Sequence, residues 1–370
     1  MKFSMIFEAQ MVDPSPESER QVFQDCVEQA VLGEKVGFDG IWAVEHHCLT
    51  QYAHMSAPET FLAFVAGKTS RIRIGHGVVC LPFKMNHPIK VAERVATLDI
   101  LSQGRVNFGV GKGGTETEAG AFDVDIPEID AQLEESFRMI PEMWASDVYS
   151  HESELIRVPE RRIHPKPWQT PHPPLFMACT RETTLNQAGE WGVGALCLGF
   201  GGPEDIEQKN KVYREAIKRR TAESQVGKVV NDHLSALCPA IVLEDGAAAR
   251  RIGHRGQRFF TESINHFYQG GPMPSAPPED EDSAAVLKRD GEALVAYLHE
   301  EKIEAGTEAT GLFNTNHAYG TVEDAIGYVE RLIAAGADEV MFIVQMGSVP
   351  QKAALETIEN LGTKVIPHFR

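Results

Sequence analysis

Short apolar runs alternate with amphipathic stretches along almost the whole chain. The runs are Phe3 to Phe7, Gly40 to Val44, Ile72 to Cys80, Val106 to Val110, Leu175 to Cys179, Ala195 to Leu198, Ser235 to Val242 and Glu339 to Val344. They are mostly too apolar for strands with one wet face, so they predict a parallel sheet buried on both sides. Helical periodicity fills the gaps, as in Ile89 to Leu101, Ala131 to Trp144, Thr183 to Trp191, Glu204 to Arg220 and Thr321 to Ala335. Eight runs separated by helices predict an α/β fold, a (β/α)8 TIM barrel. A doubly wound open sheet is the alternative, but no Gly-x-Gly-x-x-Gly follows an early run.

Three segments exceed ordinary connections. They place insertions after the fourth run (Lys112 to Asp130), before the fifth (Asp147 to Pro174) and after the seventh (Arg255 to Tyr319). The proline-rich second segment predicts a small hairpin on the barrel's side. The third, residues 255–319, falls over the active face as a pocket wall or lid. Within it Ala284 to Glu301 reads as a helix, and Ser275 to Asp282 as a partly disordered acidic surface loop. Nothing marks a second domain, so residues 1–370 read as one.

The tips of the runs carry the chemistry. The second ends in Glu45-His46-His47, just after a helix-like segment stopped by Gly37. A carboxylate and two histidines at the exit of a parallel strand stand where such folds do their reactions. The third contains Gly75-His76-Gly77-Val78, with glycines that suit close approach of a ligand. The fourth ends in Gly111-Lys112-Gly113-Gly114, an ammonium amid bare backbone that suits an anion. The fifth runs into Thr180-Arg181-Glu182-Thr183-Thr184 at a helix start, where free N–H groups and the dipole favour phosphate. Lys112, Thr180, Arg181 and Thr184 on one face read as a single phosphate cradle.

Composition narrows the reading. With 370 residues and 42% hydrophobic content, the chain can bury a large core. A formal net charge of −18 argues against nucleic acid and anionic membrane surfaces as partners. No run approaches the ~20 apolar residues that span a bilayer, and the first residues lack the shape of a signal peptide. A cytoplasmic protein is expected. The six cysteines form no Cys-x-x-Cys pair, so neither a disulfide framework nor a metal site is expected.

These motifs together resemble the bacterial luciferase-like flavin monooxygenases, nearest in pattern to alkanal monooxygenase α-type chains. The resemblance runs through Gly37-Phe38-Asp39 with Glu45-His46-His47, Leu81-Pro82 with His87-Pro88, and Leu101 to Gly109. It continues through Pro165-Lys166-Pro167, Pro171 to Pro174, and the tail from Gly336 through Gln345-Met346-Gly347 to Pro367. Arg255 to Asn316 finds no counterpart. The resemblance implies reduced FMN supplied by a separate flavin reductase, dioxygen adding at flavin carbon 4a, and oxidation of a small organic substrate. His46 matches the catalytic histidine, with Glu45 orienting His46 or His47. Gly77 and Val78 match a non-prolyl cis peptide under the flavin ring. Lys112 stands where luciferase places an arginine on the phosphate, and Thr180, Arg181 and Thr184 match further phosphate contacts. Gly111 replaces luciferase's reactive cysteine, and no arginine stands near Asp130 for a second phosphate cation. Pairing of barrels in the family implies a homodimer or larger assembly, with Thr60 to Val65 suited to the contact.

Two alternatives share the barrel. A deazaflavin-dependent oxidoreductase would use the same face. A metal-dependent hydrolase would use His46, His47 and a carboxylate, although adjacent histidines in a strand point to opposite sides. A non-catalytic partner chain is disfavoured by the retention of His46 and Lys112.

Overall fold

The computed structural model describes residues 1–302 and 310–370. Eight strands close into a parallel barrel: β1 (Lys2–Phe7), β2 (Gly40–Ala43), β3 (Arg73–Cys80), β4 (Val106–Gly111), β7 (Leu175–Cys179), β8 (Gly194–Cys197), β9 (Leu234–Val242) and β11 (Glu339–Ile343). Closure runs from β8 to β9 to β11 and back to β1, with Lys2 opposite Glu339 and Ala195 opposite Leu234. Each of the eight expected runs is one barrel strand. All nine residues of β9 and all five of β11 are buried, which is why these runs are almost wholly apolar, with Ser235 and Glu339 the polar exceptions.

The helices follow from their caps and faces. Helix α1 (Pro16–Val36) opens on a Ser15 cap with Pro16 in its first turn. It stops at Gly37, whose φ of 108° lies in the left-handed region that favours glycine. The others that surround the barrel are α2 (Pro58–Ala66), α3 (Pro88–Leu101), α5 (Ile129–Ala145), α6 (Glu182–Trp191), α7 (Pro203–Arg219), α8 (Gly246–Gln269), α10 (Val322–Ala334) and α11 (Gln351–Asn360). The barrel interior is filled by side chains, Trp42 the largest of them. A Cβ on Gly75 would come within 2.3 Å of the Trp42 ring, so β3 carries glycine there to let the indole fit.

Three segments depart from the regular strand–helix units. A short helix α4 (Glu116–Ala121) follows β4. The segment before β7 forms the antiparallel hairpin β5 (Tyr149–Glu152) and β6 (Arg157–Arg161). After β9 the chain is helical through Gln269, so Arg255 falls inside α8 rather than at the start of a loop. Within α8, Gly253 lies against Tyr319 and Gly256 against Val349 and the Met346 carbonyl, where larger residues would collide. Helix α9 (Ser283–Glu300) occupies the helical stretch expected from Ala284. A three-residue strand β10 (Ala318–Gly320) pairs with the end of β9 outside the ring. Part of the 255–319 segment, residues 303–309, lies outside the described residues. The acidic loop expected to be partly disordered is tethered instead. Arg255 bonds the Pro277 carbonyl and pairs with Glu279, and Arg258 pairs with Glu281 at 2.5 Å.

Candidate active site

The C-terminal tips of β1, β2, β3 and β4 converge on one cluster of acids and histidines. Glu45, His46 and His47 follow β2 in irregular backbone, so the strict alternation of a strand no longer applies to them. Glu45 pairs with His47, whose Nε2 donates to Glu45 Oε1 at 3.1 Å. Glu45 also accepts from the Cys80 amide at 2.7 Å and from the Asn86 amide group at 2.7 Å. It thereby ties the tip of β2 to that of β3.

His46 has a different partner. Its Nδ1 donates to Glu118 Oε1 at 3.0 Å, and the His47 amide donates to the same oxygen at 3.0 Å. The Thr115 hydroxyl donates to Glu118 Oε2 at 2.9 Å, and Thr115 also caps α4 through the Glu118 amide at 3.1 Å. Burial alone would raise the Glu118 pKa, but the bonds from His46, the His47 amide and Thr115 outweigh it and hold the carboxyl below its usual range. Burial alone would lower His46, but Glu118, Glu8 and Glu45 outweigh it and lift the imidazole above its ordinary value. With Nδ1 committed to Glu118, Nε2 is the nitrogen left to exchange a proton.

Glu8 stands one residue beyond β1 and faces this cluster, 5% exposed. Its Oε2 is buried and has no hydrogen-bond partner among the described residues. Burial pushes its pKa up to about 7, against the pull of His46 and with the push of Glu118. Aromatic rings close the surroundings. Tyr52 lies 5.1 Å from the His46 ring, 5.6 Å from Phe260 and 6.2 Å from Tyr268. Tyr268, near the end of α8, reaches across to the β4 loop. A Cβ on Gly114 would fall 2.2 Å from its hydroxyl oxygen, so glycine there permits the approach.

Beside this cluster lie the glycine-rich tips. The peptide bond between Gly77 and Val78 is cis. A Cβ on Gly111 would meet Val78 at 2.5 Å and Ala178 at 3.8 Å, so the tips of β3, β4 and β7 touch here. Thr180 and Arg181 are exposed at the start of α6, and Thr184 braces that turn by accepting from the Arg181 amide at 3.2 Å. Lys112 is paired at 2.8 Å with Asp130 in the first turn of α5.

Two site residues were not singled out in the sequence. Glu118 sits in Thr115-Glu116-Thr117-Glu118, a capping-box spacing that announces a helix start and nothing more. Glu8 ends the first run much as Glu45 follows the second, and that parallel was the available signal. Among the described residues no three His, Cys, Asp or Glu side chains are grouped to hold a metal ion, and no helix is long and apolar enough to cross a membrane.

A β/α barrel with a buried histidine–carboxylate cluster at the exits of its strands defines a TIM-barrel enzyme. The chain belongs to the luciferase-like monooxygenase family, which matches residues 1–339. It is similar to the oxygenase component of the flavin-dependent trigonelline monooxygenase of Acinetobacter baylyi, 25% identical, covering 100% of this chain and 96% of that one. It is 32% identical to an F420-dependent glucose-6-phosphate dehydrogenase of Amycolatopsis mediterranei over 49% of this chain and 55% of that one. Its fold is shared with the oxygenating constituent of 3,6-diketocamphane monooxygenase of Pseudomonas putida, solved with FMN. That match has a TM-score of 0.74 and 18% identity, covering 99% of this chain and 98% of the other. The chain is a flavin-dependent monooxygenase of this family.

Proposed function

We propose that the chain is the oxygenase half of a two-component, FMNH2-dependent monooxygenase, served by a separate flavin reductase and acting on a small organic substrate. The observation that carries this reading is the placement of His46, bonded through Nδ1 to Glu118, beside the glycine-lined tips of β3 and β4. Those tips fit a flavin. Gly111 leaves room for Val78, and the cis bond at Gly77–Val78 lies in the same wall. Thr180, Arg181 and Thr184 at the head of α6 suit a phosphate, with Lys112 a second cation once it leaves Asp130. Bound reduced flavin supplies the electrons that activate dioxygen. His46 Nε2 takes up or returns a proton at the reacting oxygen. Glu118 holds the imidazole in one tautomer, and Glu45 with His47 fixes the loop that carries it. Tyr52, Phe260 and Tyr268 keep water from the site. The described part of residues 255–319, from the end of α8 where Tyr268 meets the β4 loop, is read as the wall or lid of the mouth. Phe64 on α2, with Ile100 and Leu101 at the end of α3, is exposed and suits a homodimer contact. Composition supports a cytoplasmic setting.

A second reading is favoured by the Amycolatopsis relative: a deazaflavin-dependent oxidoreductase with the same residues. Calorimetric titration with FMNH2 and with reduced F420 under anaerobic conditions separates the two. Tighter binding of FMNH2, with oxygen consumption when a flavin reductase is added, is the expected result. Preference for F420 without oxygen uptake would replace the first reading with the second.

A further inference from the structure

We propose that Glu8 is a positioning residue for His46: its carboxyl, facing the imidazole from β1, governs whether His46 holds one proton or two. The inference rests on the reading of His46 as the proton-handling residue of this monooxygenase.

Glu8 is placed as a functional group and not as a structural one. A buried carboxyl that serves the fold is surrounded by donors. Glu8 leaves Oε2 without any among the described residues, inside the protein, on the barrel face where the strand exits meet. Its backbone is firmly held, because its carbonyl accepts from the amides of His54 at 3.2 Å and Met55 at 3.3 Å. The side chain is therefore presented to the cluster by rigid backbone.

Its surroundings leave it one cation to answer to. From the tip of β2 come Glu45, His46 and His47; from α4 comes Glu118; from the segment after β2 come Tyr52 and His54; from α8 comes Tyr268; from β3 comes Cys80. The groups that act on the Glu8 carboxyl are His46, which draws out its proton, and Glu118, which keeps it in. Glu8 acts back on His46, on Tyr52 and on Tyr268. Glu118 is engaged by His46 Nδ1, the His47 amide and Thr115, so it stays ionised and fixes the first imidazole proton. The second proton then has two homes. When it rests on Glu8, the pair is a carboxylic acid and a neutral imidazole. When it rests on His46, the pair is a carboxylate and an imidazolium. One proton changes place, and no bond between heavy atoms forms or breaks. Groups coupled in this way titrate as a pair. Glu8 thus lets His46 gain or lose a proton without a net charge appearing in a dry site.

The test reads the imidazole directly, without flavin or substrate. The protein is labelled with 15N histidine, the His46 signals are assigned against His46→Asn, and their shifts are followed with pH. In the wild type the His46 ring is expected to show a second inflection near pH 7, the value to which burial pushes Glu8. Its absence would overturn the proposal with no variant required. In Glu8→Gln, which keeps the shape and removes the charge, that inflection disappears and His46 loses roughly threefold to tenfold in proton affinity. Glu8→Asp, which keeps the charge, restores most of the loss. An unchanged His46 titration in folded Glu8→Gln, or an equal loss in Glu8→Asp, would mean that packing and not the carboxylate sets the imidazole. Because the measurement uses flavin-free protein, it stands or falls separately from FMNH2 binding and oxygen consumption.

Discussion

The two ends of the barrel each hold a histidine against a glutamate, and they differ in what is left over. At the N-terminal end Glu339, the first residue of β11, is surrounded. Its Oε1 accepts from the Ser4 hydroxyl and from the Trp42 indole at 2.8 Å, and its Oε2 accepts from His233 at 2.9 Å and Ser235 at 3.0 Å. Burial alone would raise its pKa, but those donors, His233 foremost, hold it below the usual range. At the C-terminal end three glutamates meet two histidines. Glu45 and Glu118 are satisfied, and Glu8 is not. The first arrangement closes four strands around one anion and stabilises the fold. The second spends stability to keep a proton in play, as active sites do.

The comparison breaks most decisively at His46. His46→Ala is expected to lower substrate oxidation about 10²–10⁴-fold while the urea midpoint stays near that of the wild type. Oxidised product and hydrogen peroxide are measured together under limiting reductase, with peroxide rising as product falls. Product per flavin at the wild-type level would reduce His46 to a loop brace and leave His47 as the proton-handling candidate.

At the other end the effect falls on the fold. Glu339→Ala leaves the buried Trp42, Ser4 and Ser235 and the half-buried His233 as donors without their acceptor, and is expected to cost about 3–5 kcal/mol in urea unfolding. The same carboxylate gives a pH dependence. Its pKa is lower folded than unfolded, so its stabilisation is complete above the ordinary glutamate value near 4.5 and is lost as pH falls through the folded value. Wild type and variant should therefore converge in acid.

Glu8 predicts the opposite slope. Its pKa rises from 4.5 to about 7 on folding, so the folded state binds the extra proton and stability falls as pH climbs between those values. That shift corresponds to about 3 kcal/mol at full development. Glu8→Gln should match the wild type at pH 4.5 and exceed it by up to that amount at pH 8, read from urea midpoints. A variant no more stable at pH 8 would mean that Glu8 finds a partner in solution.

The pattern that made the barrel legible also explains what stayed hidden. Runs such as Ser235 to Val242 are apolar because both faces are covered, and that period is written in the sequence alone. Glu45, His46 and His47 stood out because three polar side chains close an apolar run together. Glu118 did not, since its link to His46 joins positions 72 residues apart through a helix start. Glu8 did not, since a lone acid after a strand is common, and only its empty surroundings make it unusual. The sequence places the start of the long segment at Arg255, whereas α8 continues to Gln269, with Gly253 packed on Tyr319 and Gly256 on Val349. Register between neighbours is local enough to read; the company a side chain keeps across the barrel mouth is not.

The smallest effect sharpens the comparison at the rim. Lys112 is paired with Asp130 at 2.8 Å, and both side chains are well exposed, at 40% and 77%. An exposed pair of this kind contributes under about 1 kcal/mol to the fold. On the proposed reading its meaning lies in binding, because a flavin phosphate would have to draw Lys112 away from a carboxylate that also repels it. Asp130→Asn is expected to tighten FMNH2 binding severalfold in anaerobic titration, by about 1 kcal/mol, and to move the urea midpoint hardly at all. Lys112→Met should weaken binding by more, about tenfold, because the cation itself is gone. The gain in Asp130→Asn should shrink as salt rises, since an exposed charge is screened within about 10 Å at 0.1 M. If both variants bind FMNH2 as the wild type does, Lys112 and Asp130 are a surface pair tying the β4 exit to α5, and the phosphate is held by Thr180, Arg181 and Thr184 without them. If Asp130→Asn instead loses affinity, the carboxylate orients Lys112 toward the phosphate and belongs with the satisfied acids, beside Glu45 and Glu118 rather than beside Glu8.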